Sequence, residues 1–318
     1  MNLETERILG TLEILTEQNL RFRLPNNETS SLVPFIWDVK EKGEFSLLNL
    51  GREEGWITLT DIDVAVRNWQ ALERRGYLNP DDDPSDYEDE DEDFITLELA
   101  DERAKIYEEL ADAIQENLHN IEVFKFSRIP MYSFYVVLGQ NQENNWFCFS
   151  QTVARETKLE DEIKCSDLPD LTTQPSLNDG TAKLKDKFQQ IINQLPPISI
   201  YGYYGGGYDY RFNHYLVQGI ANSKEKALLI ALPLAGMLDI ARFHKFDPEA
   251  LSWIWDKDEI AEFYPRYQKI NKFLIQNISD IKMIRCSFWN RECIYIVGEI
   301  NAGDIAGIYI ESDFDYNP

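Results

Sequence analysis

The chain has 318 residues, 43% of them apolar and 13% aromatic, which is enough to bury a sizeable core and long enough for two domains of ordinary size. Its 31 basic residues stand against 56 acidic ones, a net charge of -25. Such a surface repels nucleic acid and anionic membranes, and it serves solubility or attracts cations and basic proteins.

No address is expected at the start, because "MNLETERILG" lacks a basic segment followed by an apolar run. The longest apolar stretch, "ALLIALPLAGML" from Ala227 to Leu238, is too short to span a bilayer and is interrupted by Pro233 and Gly236. Four cysteines, Cys148, Cys165, Cys286 and Cys293, are sparse for a disulfide scaffold of this length, so reduced thiols in the cytoplasm are expected. Cys286 and Cys293 could face each other across a hairpin; as buried strand residues they need no further role.

In chain order, a helical pattern from Glu4 to Thr16 leads to the strand-like "LRFRL" and "LVPFIWDV". "WITLTDIDVAVRNWQALERRG" reads as a strand entering a helix, with Thr60 as N-cap and Gly76 as stop. The run "DDDPSDYEDEDED", Asp81 to Asp93, reads as a solvated loop, because like charges repel and resist burial. Its other readings are an anionic surface for a basic partner and a calcium loop. For calcium, Asp81, Asp83, Ser85, Asp89 and Glu92 stand at ligand positions, but Asp86 occupies the place of the required glycine.

"IYEELADAIQENLHNIEVFKFS", Ile106 to Ser127, is a helical pattern, a short break and a strand, and "MYSFYVVLG" and "WFCFSQTV" add two strands. After the polar segment "DLPDLTTQPSLNDG", Asp167 to Gly180, the plan recurs. "AKLKDKFQQIINQL" is a helix with Leu184, Phe188, Ile191 and Leu195 on one face, and "ISIYGYY", "HYLVQGIA" and "ALLIALPL" read as strands. "FDPEALSWIW" reads as a helix start, with Asp247 as cap and Pro248 in the first position. "RYQKINKFLIQNISDIKMIRCS", Arg266 to Ser287, matches the earlier helix-to-strand segment at one offset: Asn117 with Asn277, Ile121 with Ile281, Ser127 with Ser287. "NRECIYIVG" and "IAGIYIES" complete a second meander, with Gly298 opposite Gly139. In "GEINAGDIAGIYIES", residues 298–304 are read as the turn before the last strand, and Gly307 as a point of close packing.

The expected fold is therefore α/β (α+β): two tandem α/β/α sandwich domains, each with a largely antiparallel sheet. The first copy is 1–166 with its acidic loop 81–93, the linker is 167–180, and the second copy is 181–318.

Motifs for catalysis are thin. His119, His214 and His244 fall in different elements, and there is no His-Glu-x-x-His, Cys-x-x-Cys or Gly-x-Ser-x-Gly. No catalytic residue, metal site or cofactor is assigned. "YGYYGGGYDY", Tyr201 to Tyr210, lacks the Gly-Lys-Ser/Thr of a phosphate loop. It reads as a hairpin tip, or as a protein-binding loop carrying Tyr203 and Tyr204, since tyrosine offers contact area at low entropic cost.

The C-terminal stretch resembles the end of the nuclease A inhibitor family, whose pattern G-E-x-x-A-G-x-x-A-G-I stands here as Gly298, Glu299, Ala302, Gly303, Ala306, Gly307 and Ile308. "FYPRYQKINKFLIQNISDIKMI" is similar to the family's helix and first meander strand, and "WDKDE", from Trp255, resembles its tryptophan followed by acidic residues. The first half resembles the family more loosely, through "NLRFRL", "LVPFIWD" and "LTDID". The resemblance implies small acidic α/β/α sandwiches that block a sugar-non-specific endonuclease. It also implies a tryptophan and an extreme C-terminus that contact the nuclease, with one C-terminal side chain reaching the active-site Mg²⁺. By position these map onto Trp255 and Asp315, with Glu311 and Asp313 on the same tail. The family ends in a glutamate and a threonine; this chain has Phe314 and Asp315 and then three more residues.

The expected function is thus a non-enzymatic module that binds a basic protein, which the resemblance implies is a nuclease, through Trp255, Glu311, Asp313, Asp315, Tyr203 and Tyr204. The alternatives are an enzyme with a carboxylate site between the domains, and an assembly scaffold.

Overall fold

The computed structural model describes residues 1–17, 20–23, 29–75, 97–129, 132–153, 162–168, 177–204, 208–247, 257–288, 291–313 and 316–317. The acidic run 81–93, the expected helix start at Asp247–Pro248 and the stop at Gly76 lie wholly or partly outside these residues. Among the described residues the protein is mixed α+β, with eight helices and two large antiparallel sheets of five and six strands.

Both meanders are present. Helix α5 (Leu97–Asn117) runs into β5 (His119–Ile129), β6 (Tyr132–Gln140) and β7 (Trp146–Gln151). Helix α8 (Lys257–Asn277) runs into β13 (Ser279–Ser287), β14 (Arg291–Glu299) and β15 (Ile305–Asp313). In each, the three strands pair consecutively and antiparallel. The likeness extends to single atoms. Asn117 Nδ2 donates to the Ala113 carbonyl at 2.7 Å and Asn277 Nδ2 to the Phe273 carbonyl at 2.8 Å. Each first strand then bulges beside a residue in the left-handed region, Asn120 at φ 49° and Asp280 at φ 47°. Asn and Asp tolerate that region because their short polar side chains compensate locally.

The chain forms two units, and each draws on both halves of the sequence. The first unit is Met1–Glu53, Arg155–Asp170 and Met237–Phe314; the second is Glu54–Ala154, Leu171–Gly236 and Asp315–Pro318. This differs from the contiguous division into 1–166 and 181–318. The reason is strand pairing across the repeats. The first unit's sheet has the order β3-β15-β14-β13-β12-β8, where β3 is Val33–Trp37, β12 is Leu238–Phe246 and β8 is Ile163–Asp167. The second unit's sheet has the order β11-β7-β6-β5-β4, where β11 is Leu216–Ala221 and β4 is Ile57–Thr60.

Alternation gives each sheet a face for its helices. In the first unit, Ile294, Ile296, Ile308 and Ile310 pack in one cluster with Ile8 and Leu12 of α1 (Leu3–Thr16) and with Tyr267, Ile270 and Leu274 of α8. In the second, Val137, Phe147 and Phe149 pack with Trp69 of α4 (Ile62–Arg75), with Leu110 and Ile114 of α5, and with Phe188 and Ile191 of α6 (Asp179–Ile192). The expected apolar face of α6 is the one buried, with Leu184 at its margin.

"ALLIALPL" corrects the sequence reading: it lies in helix α7 (Lys224–Leu234), not in a strand. Ser223 caps it, its Oγ accepting from the Lys226 N–H at 3.3 Å. Leucine and alanine favour helix, and Ala227, Leu228, Ile230, Ala231 and Leu232 are buried in a helix that packs against β11 and β7. Gly219 permits that approach, since a Cβ there would stand 2.8 Å from the Ala231 backbone nitrogen. Gly303 turns at φ 81°, and a side chain on Gly307 would collide with the Ile296 carbonyl of the neighbouring strand, as the packing reading expected. No helix among the described residues is long and apolar enough to cross a membrane.

Candidate protein-binding site

Glu311 stands on β15, on the face opposite Ile308 and Ile310. Its carboxylate is held from two sides: Arg291 Nη1 lies 2.7 Å from Oε1, and the Tyr309 hydroxyl donates to Oε2 at 2.7 Å. Tyr309 Oη also lies 3.4 Å from Cys293 Sγ. Burial, followed by the neighbouring Cys293 and Glu311, pushes the Tyr309 phenol well above its ordinary value, so it stays a neutral donor. Glu311 is therefore a half-buried, oriented group rather than a freely swinging one.

Two of the cysteines sit in the same neighbourhood. Cys286 and Cys293 are directly opposite across β13 and β14, both fully buried. All four cysteines are thiols.

Asp313 ends β15 in register with Arg291; its side chain, and the whole of Asp315 and Trp255, lie outside the described residues. Past that point the tail pairs again. Residues Tyr316–Asn317 form β16, antiparallel to β9 (Ile198–Tyr204), with Tyr316 opposite Tyr204 and Asn317 opposite Tyr203. On its other edge β9 pairs with β10 (Tyr208–His214), with Tyr204 opposite Tyr208. The expected hairpin is thus present, its tip 205–207 outside the described residues. Two regions that the sequence presents separately, the C-terminal tail and the tyrosine hairpin, share one three-stranded sheet of the second unit. Glu311 belongs to the first unit.

A groove of about 420 Å³ opens at the start of α4, lined by Asp61, Asp63 and Arg67 with Gln115, Ile121 and Val123. The sequence pointed to this helix start but placed its cap one residue early. Helix α4 begins at Ile62, and the Asp61 carbonyl accepts from Val64 N at 3.1 Å and Ala65 N at 3.2 Å. Asp61 and Asp63 are both exposed. The histidines stand in different elements. Buried His214 has Nδ1 3.3 Å from Thr152 Oγ1, exposed His244 has Nε2 2.8 Å from Ser166 Oγ, and His119 opens β5. No group of three His, Cys, Asp or Glu among the described residues is arranged to hold a metal ion.

No protein-family model matches this chain, and no curated protein matches it.

Proposed function

We propose that this chain is a non-enzymatic protein-binding module of the cytoplasm, whose acidic and aromatic surface engages a basic partner, and that the partner is a metal-dependent, sugar-non-specific nuclease. The carrying observation is the backbone pairing of Tyr316 and Asn317 with Tyr204 and Tyr203. The paired residues Tyr316 and Asn317 follow the acidic "ESDFD" in the sequence and lie in a sheet whose sequence is rich in tyrosine, and acidic and tyrosine residues suit a basic protein surface. The net charge of -25 supports the same partner chemistry through long-range attraction. The nuclease is supported by the resemblance of the last residues to the nuclease A inhibitor family, which places Asp315 at the metal-reaching position. A carboxylate oxygen is a hard ligand that suits Mg²⁺. In this reading Glu311 positions the tail through Arg291 and Tyr309, while Asp315 and Trp255 meet the partner.

Inhibition of several such nucleases, measured with Asp315→Ala and Trp255→Ala, tests the reading. Each change is expected to weaken inhibition by about tenfold or more, the scale of an interface hot spot, with the melting temperature of Asp315→Ala unchanged. Absence of inhibition by the unaltered protein at high micromolar concentration, against every nuclease tried, removes the nuclease and leaves the fold.

A further inference from the structure

Two sets of contacts repeat with their partners crossed. Helix α1 is capped by Asn2, whose Oδ1 accepts from Thr5 N at 3.0 Å, and Thr5 Oγ1 donates to Asp304 Oδ2 at 2.6 Å. Helix α6 is capped by Asn178, whose Oδ1 accepts from Thr181 N at 2.9 Å, and Thr181 Oγ1 donates to Glu143 Oε2 at 2.6 Å. The motif is the same: Asn, two residues, Thr, then a carboxylate on the turn between the second and third meander strands. Yet Asn2 and Thr5 belong to the first repeat and Asp304 to the second, whereas Thr181 opens the second repeat, with Asn178 at the end of the linker before it, and Glu143 belongs to the first. The strands cross in the same way. β3 of the first repeat pairs with β15 of the second, and β11 of the second repeat pairs with β7 of the first.

We infer that the two repeats have exchanged their N-terminal segments, so that each repeat is the obligatory partner of the other and the folding and binding unit is mixed. The chain is then a covalently joined version of a domain-swapped dimer, in which the segment that completes a sheet comes from the other copy. The core requires it. Ile8, Leu12 and Leu32 from the first repeat share one buried cluster with Ile294, Ile296, Ile308 and Ile310 from the second. Phe188, Ile191, Leu216 and Ile220 from the second repeat share another with Phe147, Phe149 and Val137 from the first. Removing either segment would strip a sheet of one edge strand and one covering helix. A consequence for binding follows, independent of the partner's identity: the strand bearing Glu311 is completed by residues 1–53, so a fragment 181–318 lacks part of its own fold.

Two experiments on the full chain test this. In the first, Thr5→Val and Thr181→Val are followed by amide hydrogen exchange. Thr5→Val is expected to speed exchange about tenfold in 279–313 and leave 119–151 unchanged, and Thr181→Val to do the converse. Loosening of each variant's own repeat overturns the inference. In the second, a specific protease site replaces residues 169–176 and the chain is cut there. The two pieces are expected to elute together and unfold in one transition whose midpoint rises with protein concentration. Pieces that separate without denaturant, each keeping its helical circular dichroism, overturn it.

Discussion

Arg285 and Glu292 are diagonal neighbours on β13 and β14, only 3% and 2% exposed. The guanidinium grips the carboxylate twice, Nε to Oε2 at 2.8 Å and Nη2 to Oε1 at 2.5 Å, and the Ser287 hydroxyl adds a third bond at 3.1 Å. Removing one partner strands a buried charge. Glu292→Leu or Arg285→Met alone is expected to cost about 3–5 kcal/mol in urea unfolding, and the double change much less than the sum, because no lone charge then remains. Equal and additive losses would show that the pair is not coupled. The thiols act on a different axis. Burial raises those of Cys148 and Cys286, and burial followed by Asp239 raises Cys165 from 9.0 to about 12. The folded state keeps these protons while the unfolded chain releases them. Their contribution is therefore complete below pH 9 and is lost as pH climbs from 9 towards 12. The urea midpoint should be level up to the free-thiol range and fall above it; a midpoint that rises there would contradict the sign.

At the element scale, the junctions α5–β5 and α8–β13 repeat one device: an asparagine turned back on its helix, then a bulge beside a residue at positive φ. The bulge frees the strand to begin immediately after the helix. A glycine on the second strand accepts the crowding, since a Cβ at Gly139 would lie 2.8 Å from Leu118 Cβ and one at Gly298 would lie 2.9 Å from Ile278 Cγ2. Asp280→Gly should leave stability unchanged or slightly raised. Asp280→Val should lower it by about 1–2 kcal/mol, because a β-branched residue is strained at φ 47°. Equal melting temperatures for the two variants would refute a structural role for the left-handed residue. Helix α7 teaches a complementary lesson. Its apolar run has no periodicity to separate strand from helix, and its contact with β11 and β7 decides the matter.

For the whole molecule, charge governs encounter more than fold. With a net charge of -25, the association rate with a basic partner should fall about tenfold between low salt and roughly 0.2 M, as the Debye length shortens to less than about 10 Å. Stopped-flow association at several salt concentrations checks this; a salt-independent rate would assign the acidic surface to solubility alone.

Much of the architecture was legible in the residues. Periodicity marked α1, α6 and the helix before each meander, the offset between Asn117 and Asn277 marked the recurring helix-to-strand junction, and Gly307 marked a close strand approach. These are local properties, carried by the spacing of apolar groups and by backbone sterics. The acidic and tyrosine-rich segments were legible in the same way. Which edge strand joins which meander was not. β3 and β11 are both short strands that fit the same edge position beside a third meander strand, so hydrogen bonding alone does not choose between β7 and β15. The choice is made by the side chains buried beneath, by the carboxylates of Asp304 and Glu143 on the meander turns, and by the chain lengths that must reach them. The same holds for Glu311, whose acidity is written at its own position but whose fixed orientation comes from Arg291 across the β14–β15 register and from Tyr309 on its own strand. The local turn at 300–304 sets that register, and only the fold shows which side chains it brings together.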